Sequence, residues 1–323
     1  MDILTILVQI LKFFWQVLPY IFIGFVIANL IKASRYFDLI GLPMSVFSRL
    51  AHLPNRCSSA LTLYLLNSYS ALGLLSENFR ENNLDEKHVL ITVLVAYFPK
   101  GINTIVFFLA PVALSVFGLF YGMAILGVEF TICMGITLAG IIGGRILFAP
   151  PHLLVHGTTG SAAKDPVQIE AFTKTTLVKC LKDSIRDFYE ICLVLVPTGA
   201  LIIFLFNIGV QDTLQALLQP LFSLFHLPAS SVIVFAAAFV SQVAAISATG
   251  TVAAGENLTL IQCLIIYALS RSLHLGIGQI KTGLPTNIAL FGKSLGVKVT
   301  ALDFTMTQLT TVIVVIILLI ISG

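Results

Sequence analysis

Lys100 is the one charge in "VLVAYFPKGINTIVFFLAPVAL" (Val93–Leu114), and it stands between Pro99 and Gly101. An ionisable residue in so apolar a run marks an ion or substrate pathway by default. Pro99 removes a helical hydrogen bond and Gly101 permits a non-helical turn, so a helix break is expected here. A shift of 174 residues brings His274, within "SRSLHLGIGQIKTGLP", onto Lys100. Each half also carries an earlier polar interruption, "LLNSYSALGLLS" (Leu65–Ser76) and "FVSQVAAISATG" (Phe239–Gly250), related by the same shift. Broken helices paired across a repeat point to a binding site near the middle of a membrane. Their N-termini offer N–H groups to an anion and their C-termini offer carbonyls to a cation.

The residues expected to line such a site are Asn67, Ser68, Ser70, Lys100 and Asn103 from the first half. Ser241, Gln242, His274, Gln279 and Lys281 line it from the second. The central breaks carry more cation than acid, which favours an anionic or carboxylate-bearing small polar solute. Glu129 and Asp303 occupy equivalent positions within apolar segments and are candidates for proton or sodium coupling. Each residue also has a plainer role. Lys100 can snorkel to an interface, the hydroxyls and amides can join helices, and the two acids can pair with Lys100 or Arg271.

Other chemistry is poorly supported. His152 and His156 in "PHLLVHG" lack a third ligand. Cys57, Cys133, Cys180, Cys192 and Cys263 are scattered, without paired spacing. The sequence holds no Walker-type loop, nucleophile elbow or HExxH. The expectation is therefore no enzyme, no metal, no cofactor and no nucleic-acid partner.

What must position these residues is a helical membrane domain. The chain is 58% hydrophobic and 10% charged, with a mean hydropathy of +1.01. Soluble domains carry about a quarter charged residues. Its apolar runs do not alternate, which excludes a barrel and leaves a helical bundle in the lipid bilayer. Candidate spans lie at 3–31, 57–77, 86–99, 102–120, 122–148, 188–208, 229–250, 258–272, 276–292 and 300–321. The first reads as a retained helix rather than a cleaved signal. Segments 36–52 and 212–226 suit the interface. The expected organisation is a first repeat over 1–148, a polar linker over 149–187 and a second repeat over 188–323.

The repeat is visible without gaps. The same shift superposes "HLP" at His52–Pro54 and His226–Pro228, Pro111 on Pro285, and Phe117-Gly118 on Phe291-Gly292. It also brings "EFT" at Glu129–Thr131 onto "DFT" at Asp303–Thr305, and about 18 of 105 positions are identical. Five spans per half is odd, so the halves are expected to be inverted. Lys32–Arg56, Arg145–Arg186 and Lys293–Lys298 hold the basic clusters, which places them and the linker in the cytoplasm, with both termini outside. On that topology the "NLT" sequon at Asn257 faces the cytoplasm.

The stretch "LTLYLLNSYSALGLLSENFRENNLDEKHVLITVLVAYFPKGINTIVFFLAPVAL" resembles the Gate, or nucleoside-recognition, domain. Its counterpart "GTVAAGENLTLIQCLIIYALSRSLHLGIGQIKTGLPTNIALFGKSLGVKV" resembles a second copy. That domain occurs twice in the membrane part of ferrous iron transport protein B, and in spore maturation proteins, nucleoside permeases and stand-alone membrane proteins of methanogenic archaea. The resemblance implies an all-α fold of about ten spans with broken helices, and a transporter or permease. The iron transporters' cysteines are missing at the matching positions, Asn67–Ser70 and Pro99–Gly101, and no GTPase domain accompanies them here. Soft-ligand iron handling is therefore not expected. A non-transporting assembly or scaffold protein is the alternative, and homo-oligomerisation stays open.

Overall fold

A computed structural model describes residues 44–148 and 227–322, together with scattered positions between 8 and 26 and between 178 and 225. The expected first span, both interfacial segments apart from 44–52, and most of the linker and of the span at 188–208 lie outside the described residues. The described part is all-helical. In the first half α1 (Met44–Leu50), α2 (Asn55–Tyr64), α3 (Ser68–Arg80), α4 (Glu86–Val95), α5 (Tyr97–Thr104) and α6 (Ala110–Leu147) follow in order. In the second half come α7 (Val232–Ala238), α8 (Gln242–Glu256), α9 (Leu260–Gly278) and α10 (Leu284–Ser322).

The earlier interruptions are real breaks. α2 ends at Tyr64, and Asn67, in extended backbone (φ −156°, ψ 119°), starts α3. α7 ends at Ala238, and Ser241 adopts the same conformation (φ −157°, ψ 139°) before α8. Each pair of short helices packs together across its turn. At 1.5 Å per residue each member is about 10–23 Å long, short of the roughly 30 Å hydrocarbon core. The expected spans 57–77 and 229–250 are thus helical hairpins.

The break expected at Pro99–Gly101 differs from the sequence expectation. Helix resumes at Tyr97, so Pro99 occupies the first turn of α5, where its missing N–H costs nothing, and Lys100 N donates to Ala96 O at 3.0 Å. The carbonyl Pro99 leaves without a helical donor, Val95 O, receives Thr137 Oγ1 from α6 over a long 3.5 Å. Leu273 stands where the second half would need a proline, and α9 runs through without a break. Gly101 permits packing rather than a turn: a Cβ there would lie 2.7 Å from Cys133 Sγ.

The larger distortions come later and recur in register. A π-helical turn spans Ile105–Leu109 and another spans Gln279–Gly283. Each precedes a proline (Pro111, Pro285) that cannot donate back along the helix. Gly118 (φ 71°, ψ −175°) and Gly292 (φ 79°, ψ 168°) then turn the chain back on itself. That region of backbone space is open essentially only to glycine. The expected spans 86–99 and 102–120 are accordingly one bent arm, as are 258–272 and 276–292.

Each arm packs antiparallel to its successor. Cβ atoms built on Gly122, Gly140 and Gly143 would crowd Leu114, Leu94 and Ile91 of the preceding arm. In the second half a Cβ on Gly276 would lie 3.2 Å from Phe304, and Asn287 Nδ2 donates to Thr300 Oγ1 at 2.9 Å. Small residues let apolar arms approach closely. The two apolar stretches Glu86–Leu147 and Leu260–Ser322 are long enough to cross a membrane. They leave Phe120, Ile142, Ile146, Ile316 and Ile320 exposed along their outer faces.

The halves meet head to tail. Near the Gly292 corner between the second half's arms, Arg80 at the end of α3 donates Nη2 to Leu290 O at 2.8 Å. Lys298 pairs with Glu86 at the start of α4, at 2.7 Å. Near the Gly118 corner between the first half's arms, Val116 abuts Gly250 of α8. Between these contacts α6 packs against α9 and α10, so the arms of the two halves cross.

Candidate functional site

The crossing holds the acids. Glu129 and Asp303 each lie about 16 Å along the arm from its glycine corner, close to half the ~30 Å of a hydrocarbon core. Glu129 is 3% exposed and receives a two-pronged pair from Arg271 of the other half, itself 2% exposed. Arg271 Nη2 donates to Oε1 at 2.8 Å and Nε donates to Oε2. Tyr267 Oη donates to Oε2 at 2.7 Å, and Cys133 Sγ lies 3.6 Å from Oε1. Four donors thus converge on one carboxylate.

Asp303, 8% exposed, occupies the matching place in the second half. It receives Tyr97 Oη on Oδ1 and Gln279 Nε2 on Oδ2, and Tyr97 Oη also pairs with Thr307 Oγ1 at 2.7 Å. Among the described residues no Lys, Arg or His forms an ion pair with it. The two clusters correspond position by position under the 174-residue shift: Glu129 to Asp303, Cys133 to Thr307, Ile105 to Gln279, and Tyr97 to Arg271. Each acid is therefore held by the other half's residue at one equivalent position. That residue is a permanent cation in one case and a phenol in the other.

The sequence-derived lining residues divide between structural and open positions. Asn67 caps α3, its Oδ1 accepting from Tyr69 N at 2.8 Å and Ser70 N at 3.1 Å. Ser241 stands at the same point of α8 without a side-chain cap bond. Asn103 Nδ2 donates to Leu65 O at 2.6 Å, and His274 Nδ1 pairs with Ala238 O at 2.8 Å. Those two carbonyls belong to the interrupted ends of α2 and α7, so both side chains satisfy backbone that the breaks expose. Lys100 is half-buried, its Nζ 4.9 Å from the Tyr97 ring centroid, a cation–π contact. Ser68 and Gln242 are half-buried in the first turns of their helices, while Ser70 and Lys281 are exposed. Gln279 alone among the expected lining residues touches an acid.

Tyr97, Tyr267, Thr307 and Cys133 were not singled out by sequence. The signal was available, since Tyr97 falls on Arg271 under the shift that pairs the two acids. Arg271 Nη1 is buried without a partner among the described residues, and buried donors are ordinarily satisfied.

Two curated proteins of Methanocaldococcus jannaschii are similar to the chain over most of its length. It is 22% identical over 314 residues to "Uncharacterized protein MJ0880", covering 96% of this chain and 99% of the relative. It is 22% identical over 295 residues to "Uncharacterized protein MJ0871", covering 90% and 88%. No protein-family profile matches the chain, and no solved structure matches it.

Proposed function

We propose that the protein is a multi-pass membrane transporter or permease of a small polar, anionic solute, built from two inverted repeats. The observation that carries this reading is the polar centre. Charged and hydroxyl groups from both halves meet within apolar, membrane-length arms, beside helix breaks that recur in register. Such a centre is expensive in lipid and marks a pathway. Arg271 is buried and occupied by Glu129, so half-buried Lys100 and exposed Lys281 are the cations available to an anion. Exposed Asn67, Ser70 and Lys281 would line the approach.

The hairpins also suggest fewer crossings than ten. If α2–α3 and α7–α8 enter and leave on one side, each half crosses three times: its first helix and its two long arms. Three is odd, so inversion is retained. The basic clusters at 32–56, 145–186 and 293–298 remain cytoplasmic. Arg80, Lys298 and Glu86, which meet near the Gly292 corner, then share the cytoplasmic side, and the sequon at Asn257 faces outward.

The test is uptake by proteoliposomes after a thermal-shift screen of organic acids, nucleosides and metal ions, because a ligand selective for the native state raises its stability. We expect one anionic class to stabilise the protein and to be taken up. Lys100→Ala and Lys281→Ala should each slow that uptake, and unchanged rates in both would remove the site assignment. If no solute is moved or bound, the scaffold alternative takes its place.

A further inference from the structure

We propose that Asp303 is a proton-exchange site and that Glu129 is not, so that the two symmetry-related acids have divided into one functional and one structural group. The hydrogen-bonding partners decide this. A guanidinium only donates, so a proton on Glu129 would leave the buried Arg271 charge without its counter-ion, which is strongly unfavourable. Glu129 therefore stays ionised as one member of a fixed pair.

The partners of Asp303 tolerate both states. With Asp303 ionised, Thr307 Oγ1 donates to Tyr97 Oη, Tyr97 Oη donates to Oδ1, and Gln279 Nε2 donates to Oδ2. When a proton arrives from water, an O–H bond forms on Oδ1. It donates to Tyr97 Oη, Tyr97 turns its own proton to Thr307 Oγ1, and Gln279 continues to donate to Oδ2. Each of these side chains keeps a partner in both states, Thr307 Oγ1 changing from donor to acceptor as its own hydrogen turns away from Tyr97. The net change is one positive charge taken up. Hydroxyls make this reversal possible because they both donate and accept.

The titratable and charged groups around the site agree with this assignment. Tyr97 of α5 bonds Asp303 directly, and Tyr64 of α2 lies within electrostatic range. Lys100 of α5 rests on the face of the Tyr97 ring and forms no ion pair with Asp303. On the neighbouring arms, Glu129 of α6 and Arg271 of α9 neutralise each other, and Tyr267 of α9 bonds Glu129. Gln279 of the π-helical turn bonds Asp303 and is half-buried, and Lys281 of the same turn is exposed. The proton site stands on this geometry alone, whereas its use in coupling rests on the transporter reading above.

The test is a pH titration of the full-length protein in lipid nanodiscs, followed by infrared difference spectroscopy in the carboxylic C=O region. The wild type should develop a band typical of an acid shielded from water as pH falls, identical in sodium and choline chloride. Asp303→Asn should abolish that band. Tyr97→Phe, which preserves shape, should retain it at higher frequency, because the acid has lost its acceptor. A band that survives Asp303→Asn overturns the proposal, as does one unaffected by Tyr97→Phe or one that sodium removes at fixed pH. Loss of uptake with the band intact would count against transport and leave the proton site standing.

Discussion

Breaking the Glu129–Arg271 pair gives the sharpest test of how the halves are joined. Arg271→Met removes the donors at Nε and Nη2 and leaves a carboxylate that is 3% exposed with Tyr267 and Cys133 alone. An ion stripped of its buried partner costs about 3–5 kcal/mol, whereas replacing both ions by apolar groups of similar volume is often neutral. Arg271→Met and Glu129→Leu should therefore each destabilise by about 3 kcal/mol or more. The double variant should lie within about 1 kcal/mol of wild type, giving a coupling of about 5 kcal/mol. Asp303→Asn provides the contrast. It retains an acceptor for Tyr97 and frees no buried cation, so a loss of about 1 kcal/mol is expected. Reversible denaturant unfolding in mixed micelles, followed by circular dichroism, measures all four. Additive single-variant effects, with coupling under about 0.5 kcal/mol, would refute the claim that this pair clamps the two halves together.

Two further outcomes follow from the backbone. Gly118→Ala and Gly292→Ala should each cost about 1–3 kcal/mol, because both corners use backbone angles closed to other residues; thermal unfolding of the two variants measures it. Equal stability of wild type and variants would mean that the corners are not formed as described. Single cysteines at the exposed loop positions Asn82 and Asn257, in a background with the native cysteines replaced, report sidedness. With six crossings, impermeant maleimide added outside intact cells should label position 257 and spare 82. Ten crossings give the reverse pattern.

Much of the fold was legible because apolar length and backbone-breaking residues follow simple rules. Apolar length, paired Pro and Gly positions and the 174-residue register read directly as long helices with recurring distortions. Pro111 with Pro285, and Gly118 with Gly292, mark structural irregularities that the structure reproduces residue for residue. The span boundaries were less legible. Pro99 and Gly101 look like a terminus in sequence. Yet a proline in a helix's first turn is harmless, and whether its orphaned carbonyl is satisfied depends on Thr137, distant in the chain. The short helices α2 and α3 likewise have the composition of one span, and only their packing reveals a hairpin.

Sequence alone determined that Glu129 and Asp303 are equivalent, that each is costly in its setting, and that polar residues cluster at the breaks. Only the tertiary structure decided that the two acids differ. The partner of each comes from the opposite half, more than 100 residues away. The 174-residue shift aligns Tyr97 with Arg271, but chain order does not say that each reaches the carboxylate of the other half. The crossing of the arms gives one acid a guanidinium that can only donate and the other a phenol that can reverse.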